Sequence, residues 1–368
     1  MIPVCEPHIS EHDIELVNDA LKSGWISSAG KYLDLFEERW AAYCGMQHGI
    51  AVSNGSTALD IAVDLLALEP GDEVIMPTFT IISPAQSVVR VGGVPVLVDS
   101  DSDTWQMDVT QIEEKITPRT RAILVVHIYG HPADMDPVMA LADKHSLMVI
   151  EDAAEVHGAE YRGRRCGGIG HISTFSFYAN KLVTTGEGGM VLVKSREHAD
   201  RARSLRNLCF QPGRRFYHES LGYNYRMTNV QAAMGVGQIE RIEETVSRKR
   251  EIAHLYSAAF SDIPAIQLPV EMPWAKNVYW VYGIVLGDDR ETDAVQVMSQ
   301  LRGCGIETRP FFLGMHKQPV FHNMGLFCGE HYPVAERLGR KGFYIPNGLA
   351  LTDEEITSVV DAVKGCLA

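Results

Sequence analysis

The sequence predicts an α/β fold, with a large domain built on a mostly parallel central sheet covered by helices and a smaller C-terminal α+β domain. Three observations carry this expectation. Between about residues 49 and 193, short runs rich in β-branched residues alternate with segments of helical period, as strands buried on both faces require. Beyond about residue 235 a charged helical region leads into a second, shorter set of strand-like and helical segments. No internal repeat or low-complexity linker interrupts either part.

Taken in order, the strands of the large domain are "GIAVS", "DEVIMP", "VPVLVD", "AILVVHI", "LMVIEDA", "STFSF" and "GMVLV". Each is too short and too apolar for an amphipathic helix and reads as a buried strand. The second part offers the strand-like "NVYWVYGIVL", a helix near "DAVQVMSQLRGCG" and a closing helix near "TDEEITSVVDAVKGCL". The proline-rich join is "SDIPAIQLPVEMPW", and "QIERIEETVSRKREIAHLY" reads as a helix with an exposed charged face. We place the large domain at 1–240 and the small one at 241–368.

With 368 residues, 46% of them hydrophobic, the chain can bury a substantial core. Its formal net charge of −14 argues against a nucleic-acid partner, because a polyanion needs clustered positive potential. No apolar run is long enough to span a bilayer, and "MIPVCEPHIS" lacks the regions of a signal peptide, so a cytoplasmic location and no membrane are expected. The seven cysteines include no C-x-x-C pair and read as buried thiols of a reduced compartment, with no metal site.

The stretch "STFSFYANKLVTTGEGGM" sets Lys181 between an apolar run and a glycine-rich turn. A lysine lodged there and desolvated can lose its proton and act as a nucleophile toward an aldehyde. Asp152 ends the run "LMVIED". It is open to two readings, the cap of a following helix or an acid facing the same crevice as Lys181, since ligands collect at the carboxyl ends of such strands. Lysine on an aldehyde carbon, acid on a ring nitrogen and donors for a phosphate are what pyridoxal phosphate requires. "SNGSTALDIA" sets Gly55, Ser56 and Thr57 at a strand-to-helix junction, either as a plain helix cap or as an anion cradle. Ser176 could add a hydroxyl. The cluster "QPGRRFYHESLGYNYR" gathers Arg214, Arg215, Tyr217 and His218, a basic-aromatic set suited to a diphosphate and a base. His127 and Tyr129 of "VVHIYGHP" read as core and strand-end residues.

"SNGSTALDIA", "GDEVIMPTFT", "VIEDAAEVHGA", "STFSFYANKLVTTGEGGM" and "GYNYRMTNVQAAMG" occur in the order and spacing of a known family. The sequence resembles the DegT/DnrJ/EryC1/StrS sugar aminotransferases from "SGWISSAGKY" to "GIETRPFF" and beyond. Within the family it is most similar to the members that make GDP-perosamine, in "WISSAGKY", "HIYGHPADMD", "FSFYANK" and "LGYNYRMTN". The resemblance implies a fold-type-I, pyridoxal-5'-phosphate-dependent homodimer with shared active sites. It would transfer an amino group from L-glutamate to C4 of a nucleotide-linked 4-keto-6-deoxy sugar, GDP-4-keto-6-deoxy-D-mannose first, with UDP- or dTDP-linked sugars as one alternative and a non-enzymatic regulator that keeps the cofactor-binding fold as the other. A product of that kind points to O-antigen and lipopolysaccharide synthesis.

Carried over position by position, the resemblance makes Lys181 the residue that links covalently to the cofactor and Asp152 the partner of the pyridine nitrogen. Glu155 would lie near the ring hydroxyl. Ser56, Thr57 and Ser176 would bind the phosphate, with Asn224 of the partner subunit. Trp25, Ser27 and Ser28 of an N-terminal loop, Arg215 and Tyr217, and His316 of "FLGMHKQPV" would face the substrate. Sugar dehydratases that resemble the family carry histidine in place of Lys181, so the lysine favours amination. One position departs from the pattern: Ile81 stands where family members commonly stack an aromatic ring on the cofactor, with Phe79 two residues before it.

Overall fold

The computed structural model describes residues 1–368 except Pro212, Ala265 and Ala368, and without the side chain of Arg215. Helices α1 (Glu11–Ser23) and α2 (Lys31–Cys44) lead into strand β1 (His48–Val52), helix α3 (Gly55–Asp64), β2 (Glu73–Pro77), α4 (Ser83–Arg90), β3 (Val94–Val98) and β4 (Thr120–Val126). There follow α5 (Met135–His145), β5 (Met148–Asp152), the short strands β6 (Glu160–Tyr161) and β7 (Arg164–Arg165), β8 (Ile172–Ser176), β9 (Gly189–Val193) and α6 (Arg196–Arg206). Seven of these strands form one sheet in the order β1-β9-β8-β5-β4-β2-β3. They are the seven expected strands, parallel throughout except where β9 runs against its neighbours β1 and β8.

The reversal of β9 has a local cause. A connection that returns directly from β8, without a crossover helix, can only give an antiparallel pair. The 177–188 loop makes that return and is closed at its base by Phe177 N–H donating to Gly188 O at 2.8 Å. Strands β2 and β9 are buried at every position, as expected of a sheet covered on both faces. Helices start where caps are available: Asn54 opens α3 and Ser195 opens α6, each side chain accepting a first-turn N–H.

Beyond the hairpin of β10 (Phe210–Gln211) and β11 (Arg214–His218) come α7 (Asn229–Glu240) and α8 (Ile242–Phe260). A four-stranded antiparallel sheet follows, in the order β12 (Ile266–Gln267), β14 (Tyr282–Leu286), β16 (Gly342–Ile345), β15 (Arg309–Pro310). Strand β13 (Ala275–Lys276) instead joins β6 of the large domain. Helices α9 (Ala294–Gly303), α10 (Pro319–Asn323), α11 (Pro333–Lys341) and α12 (Asp353–Leu367) complete the chain.

Two buried clusters result, and α8 belongs to both: Ile242 and Val246 pack in the larger one, Ile252, Tyr256 and Phe260 in the smaller. Residues 2–4 also cross over, Ile2 N–H donating to Gly305 O at 2.8 Å and Asn347 N–H to Val4 O at 3.0 Å.

Three expectations need correction. Helix α8 is not simply a charged surface helix, because Lys249 is buried in its middle and donates to the carbonyls of Trp280 and Asn347. Its aliphatic stem suits the core, and its ammonium finds backbone acceptors there. The cysteines are not uniformly buried: Cys44, Cys166 and Cys209 are, whereas Cys304 and Cys328 are exposed. The run "NVYWVYGIVL" is a strand only from Tyr282 on. Before that the chain turns, with Tyr279 at φ 47° and Val278 N–H donating to Gly130 O at 3.0 Å. Gly130 (φ 106°) permits this approach, since a Cβ there would stand 2.5 Å from Trp280 N.

Candidate active site

The carboxyl ends of β1, β2, β4, β5 and β8 open on a cavity of about 490 Å³. Lys181 enters it from the 177–188 loop, Asp152 from the end of β5, and Glu155 from the turn that follows. β5 and β8 are direct neighbours in the sheet, with Asp152 beside Thr174. That adjacency brings the 29-residue separation of acid and lysine down to one crevice.

Lys181 Nζ lies 3.7 Å from Glu155 Oε1 and 3.6 Å from the centroid of the Trp280 ring. Burial pushes its ammonium below the usual lysine range, while Glu155 and Asp152 act against that shift. Burial also raises the Glu155 carboxyl, opposed by Lys181 and by the Tyr129 N–H that donates to Glu155 Oε2 at 2.8 Å. Asp152 is raised by burial as well; the Ala154 N–H at 3.2 Å and the charge of Lys181 favour its ionised form. No helix follows β5, so Asp152 is not a helix cap; the Ala154 N–H bond closes a tight turn, and the carboxyl lines the cavity with Lys181.

The candidate anion cradle lies at the start of α3. Thr57 N–H is taken by Asn54 Oδ1 at 2.9 Å and Ala58 N–H by Asn54 O at 3.1 Å. The N–H groups of Gly55 and Ser56 are therefore the ones this first turn offers outward. Thr57 is buried and its hydroxyl donates to Asn54 O, so its side chain serves the cap. Ser176 lies directly across: a Cβ on Gly55 would stand 2.7 Å from Ser176 Cβ. Ser56 Oγ pairs with Ser83 Oγ at 2.8 Å. Gly55→Ala is accordingly expected to cost about 1–3 kcal/mol by overpacking, read by urea denaturation, and to weaken pyridoxal phosphate binding about tenfold, read by equilibrium dialysis.

The cavity also fits a polar ring. Thr80 Oγ1 and Asn180 Oδ1 are buried without a hydrogen-bond partner among the described residues, and both residues line it. Ile81 lines it too and is 47% exposed, whereas Phe79 is buried beside Tyr129, Phe311 and Phe312. Trp280, Phe312 and Tyr344 close the far wall from the C-terminal part of the chain. Sequence reasoning missed these three and Ser83; the signal for Trp280 was an aromatic-rich run that reads equally well as a strand.

Other sequence-identified residues lie elsewhere in this chain. His127 is buried, with Nε2 3.2 Å from Glu151 and Nδ1 accepting the Ala133 N–H at 3.0 Å, and Tyr129 is buried beneath the site. His316 is buried behind β2, bonded to Thr78 Oγ1 at 2.8 Å and to Glu336 at 3.2 Å, and does not line the cavity. Trp25, Ser27 and Ser28 form an exposed turn after α1, where Asn229 holds the carbonyls of Trp25 and Ser27. Tyr217 is on the β10–β11 hairpin under the Arg214 guanidinium, 4.0 Å from its ring centroid. Arg215 belongs to β11, and its side chain lies outside the described residues.

Asn224 is exposed and away from its own cavity. Tyr223 and Tyr225, on either side of it, stack at 4.5 Å and donate to Asp64 and Asp60 of α3.

The model of the DegT/DnrJ/EryC1/StrS aminotransferase family matches residues 7–364. The chain belongs to this family. It is thus a pyridoxal-phosphate-dependent sugar aminotransferase of fold type I. The GDP-perosamine synthase of Caulobacter vibrioides is 39% identical over 100% of this chain and 98% of its own length. That of Escherichia coli O157:H7 is also 39% identical, over 99% of this chain and 98% of its own. Among solved structures, S. venezuelae DesV in complex with a ketimine intermediate is 34% identical, covers 97% of this chain and 94% of its own, and superposes with a TM-score of 0.89. Among the described residues no helix is long and apolar enough to cross a membrane.

Proposed function

We propose that this aminotransferase moves the amino group of L-glutamate to C4 of GDP-4-keto-6-deoxy-D-mannose, forming GDP-perosamine, as a cytoplasmic homodimer. The observation that carries the reaction is the convergence of Lys181 and Asp152 on one cavity beside the α3 N-terminus. The full-length likeness to two GDP-perosamine synthases supports the substrate.

When bound, pyridoxal phosphate supplies an aldehyde carbon that carries the amino group and a ring that takes up an electron pair. The Gly55 and Ser56 N–H groups, with the Ser56 and Ser176 hydroxyls, hold its phosphate, an anion favoured at a helix N-terminus. Asp152 would keep the ring nitrogen protonated, and Glu155 would serve the ring hydroxyl. Lys181, desolvated and flanked by two acids, is the residue that would link to the aldehyde carbon and carry a proton at Nζ. Trp280, Phe312 and Tyr344 exclude water from the reacting carbon. Asn224 would serve the partner subunit's site; its exposure and its absence from the lining of its own cavity support that reading. Trp25, Ser27, Ser28, Arg215 and Tyr217 are the candidates for the sugar nucleotide, whereas His316, buried and bonded through both ring nitrogens, is not.

Specificity is tested by incubating the enzyme with pyridoxal phosphate, L-glutamate and GDP-, UDP- or dTDP-linked 4-keto-6-deoxy sugars, with products read by mass spectrometry. We expect kcat/KM for the GDP-mannose-derived ketone to exceed the others by roughly 10²-fold. Preference for a UDP or dTDP sugar would remove the perosamine assignment and leave the amino transfer intact.

A further inference from the structure

Lys181 Nζ has two close neighbours of different character. Glu155 Oε1, at 3.7 Å, is beyond hydrogen-bonding distance. The Trp280 ring is nearer, its centroid 3.6 Å away, within the range where an aromatic face attracts an ammonium. Trp280 is held at three points, one on the ring and two on its backbone. Its indole Nε1–H donates to the carbonyl of Asn180, the residue before the lysine, at 2.7 Å. Its own carbonyl accepts from the buried Lys249 ammonium at 2.8 Å. Its backbone N packs against Gly130, at the turn that breaks the expected strand. Trp280 is only 6% exposed, so the attraction acts with little competition from water.

We propose that Trp280 is a positioning residue that seats the Lys181 ammonium: its indole face draws the charged amine, and its bond to Asn180 ties that face to the lysine's own backbone. Lys181 would be displaced from the cofactor when the amino donor binds and would rejoin it only when the aminated product leaves; in between, its Nζ would take up a proton and give it back. A ring quadrupole attracts the protonated form and is nearly indifferent to the neutral amine. The seat thus favours the proton on Nζ at the stage when the lysine is free, and keeps the amine from swinging onto Glu155. The charged or titratable groups that act on Lys181 are Glu155, Asp152 and His157, and Glu187, Tyr178 and Tyr344 line the same cavity. All of these remain in a Trp280 variant, so a change there reports the ring. The proposal rests on Lys181 being the reacting lysine, but its test does not need turnover.

The test uses the full chain without cofactor. Lys181 is labelled by reductive methylation across a range of pH, and its peptide is quantified by mass spectrometry. In Trp280→Leu the midpoint of labelling is expected to fall by ~0.5–1 pH unit, with Trp280→Phe between it and the wild type. A more open site would raise labelling at every pH without moving the midpoint. Where Trp280→Leu does not fold, Trp280 is replaced by fluorinated tryptophans of the same shape, and the midpoint is expected to fall with each added fluorine. A midpoint that stays at the wild-type value in the leucine or fluorinated variants, or that falls equally in the phenylalanine and leucine variants, overturns the proposal. The reaction itself is judged separately, by replacing Lys181.

Discussion

Lys181→Ala is expected to lower amino transfer by ~10⁴-fold or more, because one side chain supplies both the nucleophile and the group that moves the proton. No other lysine is among the described residues lining the cavity. Arginine fails equally, since a guanidinium cannot give up its proton to become a nucleophile. Two readouts check this: product formation by mass spectrometry, and the near-visible absorbance of the cofactor-loaded protein. A variant that keeps both would show that the reacting lysine lies elsewhere. Glu155 and Asp152 then face each other without a cation between them, which favours protonation of one of them.

Asp152→Asn is expected to be the next most damaging change. Asparagine keeps the volume and can accept the turn bond from Ala154 N–H but gives up the charge. Losing one partner of a buried, charged hydrogen bond costs ~3 kcal/mol, or about two orders of magnitude in rate. The pH profile carries the sign. Burial raises the Asp152 carboxyl, so the ionised form is depleted as pH falls through that raised value, and wild-type activity should decline on the acid side. The substituted amide has no proton to gain there, so the variant should lack this limb of the profile. An Asp152→Asn enzyme with wild-type kcat and an unchanged acid limb would remove Asp152 from the ring nitrogen.

The strands were the most legible part of this chain. Seven buried runs such as "GMVLV" and "DEVIMP" have a composition that neither a surface helix nor a loop tolerates, and all seven entered the central sheet. Asp152 and Lys181 could be paired from sequence because each follows such a run, and strand ends in an α/β sheet point to one edge. What sequence could not supply was the far wall. Trp280, Phe312 and Tyr344 come from a part of the chain whose return to the cavity depends on a turn at Tyr279 and on space left by Gly130. That turn runs against the strand propensity of "VYWVYGIVL", as functional segments often do. Lys249 was hidden for a related reason, since a buried lysine is recognisable only when its carbonyl partners, distant in sequence, are known. His316 is read from sequence as a substrate group, yet its two ring nitrogens are already occupied by Thr78 and Glu336.

Helix α8 gives the molecule a mechanical unity that its two cores do not suggest. Its 19 residues extend about 28 Å as one rod, anchored at one end in the large core and at the other in the small. Neither core can lose its packing without stripping a face from the same helix, and the buried Lys249 near its centre would lose its carbonyl partners in either event. The two clusters are therefore expected to unfold in one transition, with near-UV and far-UV circular dichroism melting together, and Trp280, which packs in the larger cluster, is expected to keep its place as long as the sheet does.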